Sequence, residues 1–302
     1  MPITIGEGLS FCGRALTGSE LDLIRSISHD FRRLTVTELA ATVCELLQWR
    51  RPNGALKTRE CFLFLRELQR RGWLPDLPAP QPRQRAPLAK LTSAPAPAPD
   101  LLDASLSYYQ PITLQLIQSA ADRRRFREYL DRYHYLGYRA PYGAQLRYWV
   151  RSAHPQLPPL AALLFTSAAW RMAPRDRCIG WRPEARQRNL PLVVNQSRFL
   201  ILPWVRIGNL ASHILAQAAR QLTGDWETRY GVRPVLLETL VDPARYRGTC
   251  YRAANWVEVG TTQGRGRMDR FHRAQGNSKY IFLYPLHRHW QARLCAVAEP
   301  LL

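Results

Sequence analysis

The apolar stretch Arg198-Phe-Leu-Ile-Leu-Pro-Trp-Val205, followed by Arg206-Ile-Gly-Asn-Leu-Ala-Ser212, decides the predicted fold of this chain. The apolar run predicts a buried strand, and the small and polar residues after it predict a loop that leads into a helix over residues 213–222. Such a loop exposes backbone N–H groups at the positive end of a helix, where an anionic group can bind. The stretch therefore predicts a strand, an anion-binding turn and a helix in direct succession.

A second apolar run follows this unit. Pro234-Val-Leu-Leu-Glu-Thr-Leu-Val-Asp242 predicts another buried strand, and Gly248-Thr-Cys-Tyr-Arg-Ala-Ala-Asn-Trp256 predicts a short helix before the basic Gly264-Arg-Gly-Arg267. Upstream, the hydrophobic pattern predicts a helix over residues 117–133 and strands over residues 144–150 and 160–168. This order predicts an α/β (α+β) domain with one mixed sheet over residues 101–302.

Residues 1–77 predict a separate, helix-rich domain. Thr35 and Glu38 have the spacing of a capping box, and apolar residues then recur on one helical face. Turn-forming residues 50–54 separate this helix from a second amphipathic helix over residues 58–72. We therefore predict a helix-turn-helix or winged-helix-like domain that binds nucleic acid, with a protein-docking domain as the alternative. The Pro- and Ala-rich basic residues 78–100 predict an extended linker.

The charge of the chain predicts a polyanionic partner. The 302 residues include 43 Lys and Arg against 23 Asp and Glu, a formal net charge of +20. All but three of the basic residues are arginine, whose planar guanidinium suits phosphates and base edges. A coding bias would explain the use of arginine in place of lysine, but not the excess over acidic residues. We expect DNA as the partner, and the same charge suits RNA.

The remaining composition predicts a cytoplasmic protein. The six cysteines form no CxxC pair and no zinc-binding spacing, so we interpret them as reduced thiols. No apolar run has the length of a membrane span, and the N-terminus lacks the basic start and apolar core of a signal peptide. We expect no membrane partner.

Six segments carry a resemblance to a known family. They are His134-Tyr-Leu-Gly137, Arg175-Asp-Arg-Cys-Ile-Gly-Trp181, Arg198-Phe-Leu-Ile-Leu-Pro-Trp204, Asn209-Leu-Ala-Ser212, Leu237-Glu-Thr-Leu-Val-Asp242 and the Gly248 to Trp256 run. In this order they resemble the DruA family, whose members are associated with Druantia anti-phage systems and also occur beside transposase genes. The resemblance implies a mobile-element or anti-phage protein, with a transposase or helicase encoded nearby as its partner.

The core also resembles, more distantly, the GNAT acyltransferase fold and the DNA-modifying Mom protein of phage Mu. GNAT enzymes hold the pyrophosphate of acyl-CoA with a loop that here corresponds to Arg206-Ile-Gly-Asn-Leu-Ala211. Asn209 stands where that family has Gly, and a side chain there would obstruct a pyrophosphate, which argues against acetyl-CoA as the cofactor. The resemblance implies a GNAT-like mixed sheet.

Four residues are candidates for catalysis: Glu238, Asp242, His134 and Tyr251. Glu238 and Asp242 are four apart in a predicted strand, so we expect their side chains on one face. Such carboxylates are paired, bind a metal such as Mg²⁺, or transfer protons, and salt bridges to arginine are the alternative. His134 follows a basic helix, where it acts as a general base, contacts a phosphate or caps the helix. Tyr251 would flank the reacting group with His134.

Further residues are candidates for nucleic-acid contact because they are basic, or because they stack on or hydrogen-bond to bases. They are Arg50, Arg51, Arg59, Arg124, Arg198, Arg206, Asn255, Trp256, Arg265, Arg267 and Lys279.

Three functions remain open at this point. The leading hypothesis is a DNA-binding protein whose GNAT-like domain modifies a base, or processes a strand if Glu238 and Asp242 hold Mg²⁺. The second is a non-catalytic DNA-recognition factor that recruits a separate transposase or helicase. The third is a CoA-dependent N-acyltransferase.

Overall fold

The structure, a computed structural model, describes residues 9–30, 34–51, 56–74, 77, 99–138, 143–262 and 278–297. Arg265 and Arg267 of the predicted basic tail and residues 78–98 of the predicted linker lie outside the described residues. Within the described ranges, no helix is both long and apolar enough to cross a bilayer.

A short hairpin and three helices form the N-terminal part: β1 (Ser10–Phe11), β2 (Arg14–Ala15), α1 (Gly18–Asp30), α2 (Val36–Leu46) and α3 (Thr58–Arg70). The predicted capping box is present. Thr35 Oγ1 accepts a hydrogen bond from the Glu38 N–H at 3.3 Å, and Glu38 Oε2 accepts one from the Thr35 N–H at 3.0 Å. These reciprocal bonds satisfy amides at the start of α2, so local sequence sets where this helix begins.

The larger part is built on one sheet. Its elements are α4 (Leu106–Tyr109), β3 (Thr113–Leu116), α5 (Ala120–Tyr133), β4 (Gln145–Arg151), β5 (Ala161–Ser167), α6 (Ala173–Ile179), α7 (Pro183–Asn189), β6 (Val193–Ile201), α8 (Leu210–Tyr230), β7 (Leu236–Val241), α9 (Thr249–Ala253), β8 (Val257–Thr261), β9 (Tyr280–Pro285) and α10 (Trp290–Cys295). The strand order is β3-β4-β5-β6-β7-β9-β8. Only β6 and β7 pair in parallel among these strands. The predicted mixed α/β fold is confirmed.

Helices cover both faces of the sheet. On one face, the Tyr148 hydroxyl of β4 donates to Asp225 Oδ2 of α8 at 2.9 Å. On the other, the Trp149 ring of β4 lies 5.3 Å from the Phe126 ring of α5. Because Tyr148 and Trp149 are consecutive, they point to opposite faces. The sheet is thus buried from both sides, as its apolar strands predicted.

The parallel pair opens toward its carboxyl end. Val193 to Gln196 of β6 pair with Leu236 to Thr239 of β7, while β6 continues to Ile201 on its β5 side. β7 stays paired with β9 as far as Val241. The carboxyl ends of parallel strands at such a crossover are a common ligand site in α/β sheets. We call the gap between residues 197–201 of β6 and the end of β7 the wedge.

Candidate functional site

Glu238 lies in an enclosed ion pair and not in the wedge. Its Oε2 is 2.9 Å from Arg175 Nη1, and its Oε1 accepts from the Ala169 N–H at 3.2 Å. Both charged side chains are 0% exposed. Arg175 also pairs with Asp176 at 2.8 Å. The expected catalytic position of Glu238 is therefore wrong, because a carboxylate without solvent access cannot meet a substrate, and the salt-bridge alternative describes it.

Asp242 follows the end of β7 and turns the chain out of the sheet. Its Oδ1 accepts from the Ala244 N–H at 3.1 Å, and its Oδ2 is 3.9 Å from Arg245 Nε. Its side chain is 12% exposed. Glu238 and Asp242 thus have separate partners, because β7 ends before Asp242. Among the described residues, no group of three or more His, Cys, Asp and Glu side chains is placed to hold a metal ion, and Glu238 is bonded to Arg175 rather than placed in a joint Mg²⁺ site with Asp242.

His134 ends α5 and is held in one neutral form. Its backbone N–H donates to the Leu130 carbonyl at 3.0 Å, and its ring Nδ1 accepts from the Leu136 N–H at 3.2 Å. Burial, and then the positive charge of Arg198, lower the His134 pKa to about 4. An imidazole whose Nδ1 accepts a bond carries its proton on Nε2. At neutral pH, His134 is therefore a hydrogen-bond donor through Nε2, and it also has the predicted helix-terminal role.

Tyr135 joins the site residues, and sequence reasoning missed it. Its ring stacks on His134 at 4.9 Å and lies 5.8 Å from the Tyr246 ring, with Arg245 Cζ 5.0 Å from its centroid. Burial, then the charge of Asp242, raise the Tyr135 pKa, while nearby arginines act in the opposite direction. The dense Tyr content around His134 was the available sequence signal. Tyr135 is the centre that brings His134 and Asp242 into one cluster.

Tyr251 closes the other side of the wedge. Its ring stacks on Phe282 at 5.5 Å and lies 6.5 Å from Phe199 of β6. Burial raises the Tyr251 pKa above its usual range, and Thr239 of β7 opposes this by a hydrogen bond. The predicted pair His134 and Tyr251 thus lies on opposite faces of the sheet, beside the consecutive residues Arg198 and Phe199 of β6.

Arg198 holds the loop that carries His134. Its Nε donates to the Gly137 carbonyl at 3.1 Å, and its Nη1 donates to the Ser197 carbonyl at 2.7 Å. The guanidinium thus places a fixed positive charge beside the imidazole, the second cause of the lowered His134 pKa.

The predicted nucleic-acid contacts do not share one surface environment. Trp256 is 3% exposed and packs against Tyr251 at 5.3 Å and Tyr284 at 5.6 Å. The expected stacking of a base on Trp256 is therefore wrong, because both contacts lie in the core. Arg51 forms a salt bridge with Glu60 at 2.7 Å. The exposed members are Arg51, Arg59, Arg124, Arg206 and Asn255, while Arg50 and Lys279 are half-buried.

The loop before α8 keeps the geometry that an anion site needs. Arg206, Gly208 and Asn209 are exposed, and no atom of the described residues lies within 4 Å of the point where a Cβ on Gly208 would be. Asn209 adopts the left-handed backbone, φ 61°, and its side chain does not cap the helix. The residues present therefore fit an anionic group at the amino end of α8, where the Asn209 side chain is the group that a pyrophosphate would meet.

The solved structures that this chain matches include N-acetyltransferases and an N-acyl amino acid synthase, at low identity and low TM-score. A chimera of the spermidine N-acetyltransferase SpeG from Vibrio cholerae and hSSAT is 12% identical, with a TM-score of 0.35, over 61% of this chain and 97% of that one. The ribosomal-protein-S18-alanine N-acetyltransferase from Escherichia coli is 10% identical, with a TM-score of 0.34, over 63% and 98%. FeeM, an N-acyl amino acid synthase from uncultured soil microbes, is 10% identical, with a TM-score of 0.35, over 60% and 94%. Their activities remain statements about those proteins.

The sequence comparisons identify the family. A search of curated proteins found no match. The family of the Druantia protein DruA matches residues 100–293, which contain the whole seven-stranded sheet and the wedge residues. The expected resemblance is confirmed, and the chain belongs to the DruA family.

Proposed function

We propose that this DruA-family protein is a nucleic-acid-modifying enzyme whose reaction takes place in the wedge. The carrying observation is the convergence of His134, Tyr135, Asp242 and Tyr251 at the open end of the only parallel strand pair among the described strands. These four side chains come from three separate segments of the chain, and Tyr135 stacks on His134 and lies within electrostatic range of both Asp242 and Tyr251. Sites of this kind in α/β sheets bind ligands at the carboxyl ends of the strands.

The charge supports nucleic acid as the substrate. A net charge of +20 favours a polyanion over a neutral or cationic substrate. Arg245, at the mouth of the wedge, has a side chain that is 57% exposed, and Arg206 is exposed at the start of α8. Guanidinium groups at the mouth can hold the phosphates on either side of a nucleotide that enters the wedge.

The roles follow from the protonation and contacts of each group. Asp242 offers a carboxylate beside Tyr135, which suits it to accept a proton from an amine or hydroxyl of the bound nucleotide. His134 donates through Nε2 to oxygen that gains negative charge in the transition state, because its Nδ1 already accepts from Leu136. Base modification is preferred to metal-dependent strand cleavage, because Glu238 is committed to Arg175 and does not form a ligand pair with Asp242.

Nucleoside mass spectrometry tests this function. Nucleic acid from cells that produce the wild-type chain is digested to nucleosides and compared with that from cells that produce Asp242→Asn. We expect a mass-shifted nucleoside with the wild type and its loss with Asp242→Asn, while Asp103→Asn, at an exposed residue, serves as the matched control. No shifted nucleoside from DNA or RNA with the wild type, despite binding, would sink the enzyme proposal and favour a recognition factor.

A second candidate function is acyl transfer from a CoA thioester. It is favoured by one observation, the exposed Arg206-Ile-Gly-Asn209 loop at the uncapped amino end of α8. These residues would hold the pyrophosphate of the donor through backbone amides and Arg206, and the donor would supply an activated acyl group. Isothermal titration with CoA separates the candidates. Binding that Arg206→Gln weakens, but Arg220→Gln does not, supports acyl transfer, and no heat of binding contradicts it.

A further inference from the structure

A cleft of about 800 Å³ lies between the N-terminal helices and the β3–β4 edge of the sheet. The amino end of α2 forms one wall, and α5, β4 and the carboxyl end of α8 form the other. We propose that this cleft binds the phosphodiester backbone of a single-stranded nucleic acid and leads the strand toward the wedge, an inference that rests on the proposed function. We call it the arginine cleft, after Arg123, Arg127, Arg147 and Arg229 in its lining.

The lining has an uncompensated positive charge. It contains these four arginines and one carboxylate, Glu38. Glu38 is committed to the capping box of α2 through Thr35. Within the part of the chain that the structure describes, none of the four arginines forms a salt bridge with a carboxylate. Like charges that face one cleft repel one another unless an anion lies between them.

Two of the guanidinium groups are held in place from within the protein. Arg123 Nη1 donates to the Gln118 carbonyl at 2.7 Å. Arg147 Nη2 donates to Gln145 Oε1 and, at 3.4 Å, to the Tyr138 hydroxyl, while its enclosed Nε has no hydrogen-bond partner. Guanidinium groups fixed in this way bind a phosphate with little loss of side-chain entropy.

Aromatic rings lie under the other two arginines. Arg127 Cζ is 5.8 Å from the Tyr138 ring centroid, and Arg229 Cζ is 5.6 Å from that of Tyr230. The Tyr230 hydroxyl is fixed by Gln145, to whose carbonyl it donates at 2.8 Å. Contacts between a guanidinium and a ring face are attractive, so these two arginines are also positioned from within the protein.

The sheet register connects the cleft with the wedge. Arg147 of β4 and Arg198 of β6 both pair with Leu164 of β5, so the two arginines lie on one face about 10 Å apart. The segment after α5 spans them, because Gly137 accepts from Arg198 and Tyr138 accepts from Arg147. This segment begins at His134. Arg147, which lines the cleft, is thus connected through this segment to Arg198 and His134 beside the wedge.

The size of the cleft favours an unpaired strand. Its volume of about 800 Å³ falls within the range of about 300–1,000 Å³ for pockets that enclose single ligands. Individual nucleotides fit such a space, whereas a duplex does not. An acidic polypeptide is the other polyanion that arginines attract, and the test distinguishes it.

Fluorescence anisotropy of a labelled single-stranded oligonucleotide tests the cleft on the full chain at several salt concentrations. Arg127→Gln/Arg229→Gln removes two exposed charges whose guanidinium groups lie over tyrosine rings. The matched control, Arg188→Gln/Arg220→Gln, removes two exposed charges of α7 and α8 outside the cleft. We expect the cleft variant to weaken binding about 10-fold near 0.1 M salt and to reduce the salt slope by about 1.4, two phosphate contacts of ~0.7 each, with little change in the control.

Equal weakening in both double variants would overturn the proposal, because binding would then follow total charge. Polyglutamate that competes as well as an unlabelled oligonucleotide would also overturn it, in favour of an acidic polypeptide. If the wild type modifies no nucleoside, but the cleft variant still binds the oligonucleotide more weakly and with a smaller salt dependence, the proposed reaction is wrong and the proposed binding cleft is supported. If modification occurs and the two double variants bind the oligonucleotide alike, the proposed role of the cleft is wrong and the proposed reaction is supported.

Discussion

The two halves of the β6–β7 pair differ although they belong to the same strands. In the closed half, Glu238 and Arg175 are fully enclosed and bonded to each other. In the open half, Asp242 lies in a turn beside Tyr135, with its side chain 12% exposed. Complete burial makes the first carboxylate structural, whereas the end of strand pairing leaves the second one partly exposed. Substitutions should therefore affect stability in the closed half and activity in the open half.

Glu238→Ala should give the largest effect. It leaves the Arg175 guanidinium enclosed without its main partner, which should lower the free energy of unfolding by about 3–5 kcal/mol. Urea denaturation followed by circular dichroism measures this loss. Glu238→Ala with Arg175→Met should recover part of it, because the uncompensated charge is removed as well. A loss below about 1 kcal/mol in Glu238→Ala would contradict the enclosed ion pair.

Gly248→Ala tests the floor of the open half. Gly248 has φ +72°, and an added Cβ would lie 2.5 Å from Phe282 Cζ, the ring on which Tyr251 stacks. Backbone strain and overpacking together should cost about 2–4 kcal/mol of stability.

Gly231→Ala is the matched control for Gly248→Ala. Gly231 has a similar φ of +75° with nothing within 4 Å of the added Cβ, so it should cost only the backbone strain, about 1 kcal/mol. Thermal unfolding of both variants measures the difference between their losses of stability. Equal losses would mean that Phe282 does not press on Gly248.

Asp242→Asn should separate activity from stability. It should lower the rate of nucleoside modification about 100-fold, because the proton acceptor is lost. The asparagine side chain keeps an acceptor oxygen for the Ala244 N–H, so the free energy of unfolding should change by less than about 1 kcal/mol. Single-turnover rates and urea denaturation measure the two quantities on the same preparation. A large loss of stability with a proportional loss of activity would assign Asp242 to the structure, like Glu238.

A pH titration of stability should give the smallest effect. The His134 pKa is about 4 in the folded chain, against 6.5 for the ordinary side chain, mainly because of burial and then Arg198. As the pH falls, the unfolded chain therefore binds this proton before the folded chain does. The contribution of His134 to the free energy of unfolding is thus fully present above pH 6.5 and is lost as the pH falls toward 4. Because solvent screens a partly exposed side chain, we expect this loss of stability to be about 1 kcal/mol. His134→Gln should remove this part of the pH dependence. Identical curves of stability against pH for the wild type and His134→Gln would contradict the lowered pKa of His134.

Local patterns predicted much of the secondary structure. The Thr35 and Glu38 spacing marked the start of α2, and alternating or continuous apolar runs marked β4, β5 and β7. These elements depend on neighbours in sequence, so the chain itself carries their signal. The helix predicted over residues 213–222 extends to Leu210–Tyr230, because tertiary packing of Trp226 and Tyr230 prolongs it.

The site depended on where strands end, which periodicity does not show. A two-residue repeat put Glu238 and Asp242 on one face, but β7 ends at Val241 and the chain turns. Trp256 had the residue type of a base-stacking side chain, and its burial against Tyr251 and Tyr284 became clear only from the packing. Tyr135 belongs to the site because its ring contacts Arg245 and Tyr246, which are more than 100 residues away in the sequence.

By itself, the sequence determined the family, the mixed α/β class and the strong positive charge, because these follow from ordered motifs, hydrophobic periodicity and composition. The tertiary structure decided which charges are compensated. Arg175 meets Glu238 inside the sheet, whereas Arg123, Arg147 and Arg229 converge on one cleft and have no carboxylate partner among the described residues. Compensation depends on distances of a few ångströms and on the exclusion of water. Both arise only when segments far apart in the chain pack together.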